Sequence, residues 1–216
     1  ITKNGAGTLT LGGLLANNRY GLTVNGGNVL LNKPDGVDAV SRFPLIMNAG
    51  AGTVTLLAPN QIHNNTDGGG LHQINAGILD LNGFDDTIGY LSTTNGTETD
   101  GIVTNSNEGT TSILTLAGNA EVADFPGAIT GNLALFKGNT NVQTLSGTNT
   151  FTGGTTIGRG TLILGTGGSF PATNALVMGS GSNPGTLQLG DATGAVDTTV
   201  SSLSSGSINS ANQVVG

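Results

Sequence analysis

Aliphatic residues recur along this chain in one short phrase: a small residue, any residue, Leu or Val, any residue, Leu. It reads GTLTL from Gly7, GNVLL from Gly27, GTVTL from Gly52 and GILDL from Gly77. It returns as SILTL from Ser112, GNLAL from Gly131, GTLIL from Gly160 and GTLQL from Gly185. The starts recur at a mean spacing of about 25 residues, in the range of solenoid and array repeats. Within each phrase the apolar positions alternate with period two, which marks a strand with one buried face. The pairs predicted to face inward are Leu9 with Leu11, Val29 with Leu31, Val54 with Leu56, and Leu79 with Leu81. They continue as Leu114 with Leu116, Leu133 with Leu135, Leu162 with Leu164, and Leu187 with Leu189. The residue between each pair is chemically mixed, from Thr10 and Asp80 to Gln188, so the opposite face is free to vary.

Shorter β-like runs fill the gaps, among them YGLTVN at 20–25, LHQIN at 71–75, GIVTN at 101–105 and ALVM at 175–178. Asn-Gly at 4–5, 25–26, 82–83 and 95–96 and Gly-Gly at 12–13, 153–154 and 167–168 separate them as turns. No helical periodicity interrupts the pattern. Two or three short strands per repeat around one aliphatic column predict an all-β fold, a right-handed parallel β-helix (β-solenoid) of roughly 8–9 rungs. Each rung buries its inner face only against its neighbours. Eight rungs at about 4.8 Å make a rod of roughly 40 Å. A β-sandwich is the competing architecture; it favours strands about every 8–12 residues without a phrase repeated at the longer period. The pattern spans residues 1–216 as a single continuous segment. The chain opens on Ile1 within a strand-like run, so the expectation is a piece of a longer polypeptide. The longest interruptions of the phrase, 32–51 and 83–111, are where contact loops are expected.

Composition sharpens this picture. The chain holds 38 glycines in 216 residues and only 9% charged residues, yet 36% hydrophobic ones. Glycine-rich disorder normally comes with high charge and few aliphatics, so this apolar surface must be buried in something regular. The net charge is −7, and the six cations (Lys3, Arg19, Lys33, Arg42, Lys137, Arg159) stand singly. That pattern speaks against nucleic acid or an anionic membrane surface as partner. No apolar run reaches the length of a membrane-spanning helix. There is no cysteine, hence no disulfide framework.

The stretch LSGTNTFTGGTTIGRGTLILGTGG at 145–168 resembles the passenger-associated repeat of bacterial autotransporters. Leu145, Gly147, Asn149, Thr150, Phe151, Thr152, Gly153, Gly154, Thr155, Thr156, Ile157, Gly160, Thr161 and Leu162 fill that family's pattern. A degenerate copy follows ITKNGAGTLTLGG at the start, with Tyr20 near the aromatic place and Gly27, Val29 and Leu31 closing it; the Gly-Gly-Thr-Thr core is missing there. The resemblance implies a secreted or surface-displayed bacterial β-helix, an adhesin stalk or filament-forming rod, located extracellularly or on the cell surface. It does not extend to a translocator barrel, since no terminal series of amphipathic strands of barrel length is present.

Candidate chemistry is sparse. The only imidazoles are His63 and His72, which could bind zinc with Asp67 but read more simply as solvated loop or strand residues. Asp80, Asp85 and Asp86 are the nearest to a paired-carboxylate site of the sort glycoside hydrolases use; the simpler reading is a solvated turn. TETDG (97–101) and DGGG (67–70) could ligate a cation weakly. Asn64 and Asn95 head Asn-x-Thr sequons, which signal exposed loops. Phe151 is expected to plug a rung, and Arg159 to be a solvated charge. No catalytic, cofactor-binding or metal residue is assigned, and no cofactor. The leading expectation is a structural or adhesive segment that is not an enzyme. Its partners would be a further copy end to end or more of the same chain, with a surface glycan or host protein also possible. A β-helical carbohydrate lyase or hydrolase, or a glycan-binding module, is the alternative.

Overall fold

A computed structural model describes residues 1–15, 19–64, 71–119, 122–208 and 211–216. It is a parallel β-solenoid of about eight turns, with strands about 24 residues apart and no helix among the described residues. The chain climbs through three faces in each rung. The first face stacks Thr2–Lys3, Leu22–Val24, Leu45–Met47, His72–Ile74 and Leu91–Ser92. A second sheet takes over its place in the rung with Val122–Phe125, Val142–Leu145, Gly160–Leu164, Gly185–Leu189 and Gln213–Val215. The second face runs from Thr8–Gly12 through Gly27–Asn32, Ala51–Leu56, Ala76–Asp80 and Asp100–Asn105 to Ala128–Gly131. The third face runs from Asp86–Ile88 through Ser112–Leu116, Leu133–Lys137, Thr155–Ile157 and Ala175–Gly181 to Ser202–Ser207.

Parallel pairing stacks like on like. On the second face Leu9, Val29, Val54, Leu79, Val103 and Ile129 lie in one register column. All but Leu9, which lies in the first rung, are buried completely or nearly so. The phrase therefore points its aliphatic pairs inward as its alternation predicts. It does not, however, form one column. Its first four copies lie on the second face, SILTL and GNLAL on the third, and GTLIL and GTLQL on the first. The two longest steps between copies, from Gly77 to Ser112 and from Gly131 to Gly160, are the places where the phrase changes face. GIVTN at 101–105 continues the second face one turn after GILDL, pairing Ile102 with Ile78.

The stretches 32–51 and 83–111, where contact loops are expected, are turns and irregular segments interrupted by pieces of wall. The first contains Leu45–Met47 and a parallel bridge from Val40 to Ile62. The second contains Asp86–Ile88, Leu91–Ser92 and Asp100–Asn105.

The glycine that opens the phrase has two physical causes. Gly27, Gly77, Gly131 and Gly160 have φ of 69°, 76°, 77° and 74°, a left-handed bend that admits glycine cheaply. Gly101 has an ordinary φ, but a Cβ there would run into the carbonyl oxygen of Ile74. Gly7 meets neither constraint. Gly101→Ala is expected to cost about 2 kcal/mol or more by forcing a backbone shift. Gly7→Ala should change stability by less than about 0.5 kcal/mol. Urea unfolding of the two variants side by side checks this.

Polar side chains tie the corners. After the first-face strands an asparagine ladder climbs four rungs. Asn25 Nδ2 donates to Asn4 Oδ1 (2.9 Å), Asn48 to Asn25 (2.8 Å) and Asn75 to Asn48 (3.0 Å). The Thr94 N–H then caps Asn75 at 2.7 Å. Lys137 occupies an inward position between Leu116 and Ile157. Its stem is buried while Nζ reaches the corner carbonyls of Asn139 and Arg159, as long cationic side chains do. Burial lowers its pKa to about 8.

Two glutamines stand in for backbone. Between Leu91–Ser92 and Val122–Phe125 the first-face ladder is interrupted. The fully buried Gln143 side chain bridges the gap: Oε1 accepts the Leu91 N–H (3.2 Å) and Nε2 donates to the Leu91 carbonyl (2.9 Å). Gln61 treats Lys33 the same way, with Oε1 on its N–H at 2.8 Å and Nε2 on its carbonyl at 3.1 Å. Phe151 plugs the core as expected, completely buried and edge-on to Phe170 at 6.4 Å between centroids. Arg159 is exposed. Tyr20, in the degenerate first copy, is 58% exposed and plugs nothing.

Candidate functional site

The third face starts as a narrow ladder before its full strands form. The Ala39 and Val40 N–H groups donate to the Gln61 carbonyl at 2.8 and 3.0 Å, and the His63 N–H donates to Val40 at 2.8 Å. Val40 and Ile62 are buried against the core, which fixes the phase of their neighbours. One rung further the ladder changes character. Asn60 still bonds the backbone of Asp85 (3.1 Å). Gln61 and Ile62 instead donate their N–H groups to the side chain of Asp86, at 2.9 and 3.2 Å to Oδ2. A carboxyl group has replaced the backbone acceptors of the next strand, and an opening lies beside it. The opening is a cavity of about 340 Å³ lined by Asp38, Asn60, Ile62, His63, Asn64 and Thr87.

Its electrostatics follow from burial. Asp38 is half-buried, and loss of solvent raises its pKa; the nearby His63 and a Ser41 hydrogen bond pull it back. Asp86 is only 1% exposed. Burial pushes its pKa up to about 8, against the backbone N–H groups of Gln61, Ile62 and Thr87 and with help from the charge of Asp38. At neutral pH Asp86 therefore keeps its proton, and Oδ1 has no hydrogen-bond partner among the described residues. Behind the cavity, His72 is fully buried with Nδ1 accepting the Leu45 N–H at 3.1 Å. Burial drops its pKa to about 4, partly opposed by a hydrogen bond to the His63 backbone, so it is a neutral imidazole.

Two expectations are corrected here. His72 is a core residue rather than a solvated one, because its strand alternates His72 and Ile74 inward. Asp86 is not in a solvated turn but inside the first third-face strand, in phase with the buried Ile88. The three neighbouring acids do three different things. Asp85 is exposed and accepts the Ile113 N–H at 2.7 Å. Asp80 projects from the second face but is covered, accepting from Ser106 Oγ (2.7 Å), the Ser106 N–H and the Asn82 N–H. They do not form a paired-carboxylate cleft.

Asp67 and the 67–70 stretch lie outside the described residues. In 97–101, Glu98 accepts from the Asn95 N–H at 3.3 Å, closing its own loop. Among the described residues no three His, Asp or Glu side chains converge to hold a metal ion. Asn64 and Asn95 are exposed. Asp38 and Gln61, which build the site, gave no sequence signal of their own: Asp38 sits inside the apparent loop at 32–51. The signal that could have found them is the phase set by Val40 and Ile62. None of the protein-family models, curated proteins or solved structures compared with this chain matches it.

Proposed function

We propose that this chain is a structural rod, a stiff segment of a secreted bacterial surface protein that serves as a stalk or filament and presents its outer faces for adhesion. The observation that carries this reading is the succession of parallel ladders, which carries from Thr2 to Val215 around an aliphatic interior. Such a stack resists bending because each rung is bonded to its neighbours. The resemblance of residues 145–168 to autotransporter passenger repeats supports a place outside the cell.

The end rungs support stacking. Ile1, Leu14 and Leu15 are exposed at one end, and Leu203, Ile208, Val214 and Val215 at the other. Residues 1–33 hold three cations and no acid, while 160–216 hold two acids and no cation. Opposite charge and open parallel edges fit one end to the other, whether the neighbour is more of the same chain or a second copy. Light scattering of the isolated chain is expected to show a mass that rises with concentration and falls with added salt. A monodisperse monomer at all concentrations would count against this reading of the ends.

A second reading, a β-helical carbohydrate-active enzyme, draws on the raised proton affinity of Asp38 and Asp86 at one opening. The burial of Asp86 weighs against it, because a general acid must touch its substrate. Incubation with a panel of polysaccharides decides: cleavage that disappears in Asp38→Asn favours the enzyme, and no cleavage favours the rod.

A further inference from the structure

We propose that the opening in the third face, between the Val40–Ile62 bridge and Thr87, is a binding site for a neutral hydroxyl-rich ligand, a residue of a carbohydrate chain. The inference does not depend on the rod serving as a stalk.

Three observations carry it. First, the opening is built rather than accidental. The Asp86 carboxyl takes the Gln61 and Ile62 N–H groups in place of a backbone acceptor, so a side chain rather than a backbone ladder joins this rung to the strand that carries Thr87. Second, the lining alternates donors and acceptors. Asp38 offers a carboxylate, Thr87 a hydroxyl, and Asn60 and Asn64 amides. Asn60 is turned by a left-handed φ of 53° and oriented by donating to Asp35 Oδ1 at 3.0 Å. A carboxylate beside an amide suits adjacent hydroxyls, each of which donates and accepts at once. Third, the charge pattern disfavours the other small ligands. Among the described residues no Lys or Arg lines the opening, and its ionisable side chains are Asp38 and His63, so a phosphate or carboxylate ligand meets the Asp38 carboxylate with no permanent cation to offset it. Among the described residues no three-ligand set exists there for a metal ion. The cavity is also large enough, at about 340 Å³, within the range of small-molecule sites. Asp86 stays sealed beneath it, which makes the site one of recognition rather than turnover.

The test is a titration of the ¹⁵N-labelled chain with glucose, galactose, N-acetylglucosamine and their β-linked disaccharides, followed by amide shifts. Calcium chloride and glucuronate serve as the cation and anion arms. Weak saturable binding of a neutral sugar, with shifts centred on residues 38, 60–64 and 87, is expected. Asp38→Asn should weaken it about tenfold, the loss of one charge-assisted contact, with the circular dichroism unchanged. If Asp38→Asn disturbs the fold, Thr87→Val, which keeps shape and removes one hydroxyl, should give a smaller loss at the same amides. The proposal is overturned by any of three results: no shifts with any neutral sugar, equal affinity in both variants and the parent, or shifts at these amides with calcium or glucuronate alone.

Discussion

Gln143→Leu is expected to be among the most damaging single changes in the rod, although it replaces a polar core residue with an apolar one of similar size. The side chain is completely buried and supplies both halves of a missing peptide pair to Leu91. Leucine would fill the space and leave the Leu91 N–H and C=O without partners. Each unsatisfied buried group costs about 1–3 kcal/mol, so the loss is on the order of 4 kcal/mol. Gln143→Glu offers no rescue: it can accept from Leu91 but cannot donate, and it buries a charge. Gln188→Leu is the control, because its half-buried amide makes one corner bond to Gly190 at 3.0 Å. Urea unfolding of the three variants measures the difference. Equal midpoints for Gln143→Leu and Gln188→Leu would refute the backbone-surrogate role.

Asp86→Asn is expected to act in the opposite direction and to stabilise the protein at neutral and alkaline pH. The folded state holds a proton on Asp86 up to about pH 8, while an unfolded aspartate releases it near 4. Folding is therefore favoured most below the unfolded value and loses ground as pH rises toward 8. His72 works the other way. Its folded pKa of about 4 lies below the unfolded 6.5, so its contribution is lost as pH falls through that interval. Between about pH 4 and 6.5 the two cancel, because folded and unfolded chains bind the same number of protons at this pair. From 6.5 to 8 only Asp86 remains, and stability should fall by roughly 2 kcal/mol at about 1.4 kcal/mol per pH unit. Asp38 and Asp124, also raised by burial, tilt in the same direction as Asp86. In Asp86→Asn the amide still accepts from Gln61 and Ile62 and the alkaline loss disappears. The variant should exceed the parent by roughly 4 kcal/mol at pH 7 and show a profile that rises from pH 4 to 6.5 and then stays flat. Thermal unfolding across pH 4–9 reads both curves.

The architecture was legible because burial in a solenoid is strictly alternating. Leu79 and Leu81, or Leu162 and Leu164, could face nowhere but inward once Asp80 and Ile163 were read as outer positions. What could not be read was which face a phrase belongs to. A short parallel strand suits any side of the same three-sided tube, so GILDL and SILTL look alike although they lie on different faces. The corners left only a faint trace: Asn4, Asn25, Asn48 and Asn75 each follow a short strand, but at uneven intervals. The candidate site was less visible still. Two adjacent acids, Asp85 and Asp86, differ only in phase. Counting back by twos from Ile88 puts Asp86 inside, a step that the turn-like NGFDD masks. Gln61 and Gln143 defeat the hydrophobic pattern outright, because their task is to imitate the main chain.

The migration of the phrase from face to face sets a rule for how such a chain can grow or shrink. The tube behaves as a threaded bolt, and the increment it tolerates is a full revolution, not the interval between two look-alike motifs. Excising the stretch from Leu79 to Ile102 would join matching points on the thread and leave the column from Val54 to Val103 in step. Excising Gly77 to Thr111, one phrase to the next, would splice one side of the tube onto another. Everything downstream would then be indexed wrongly by a side of the tube, although the joined sequence would look like a flawless repeat.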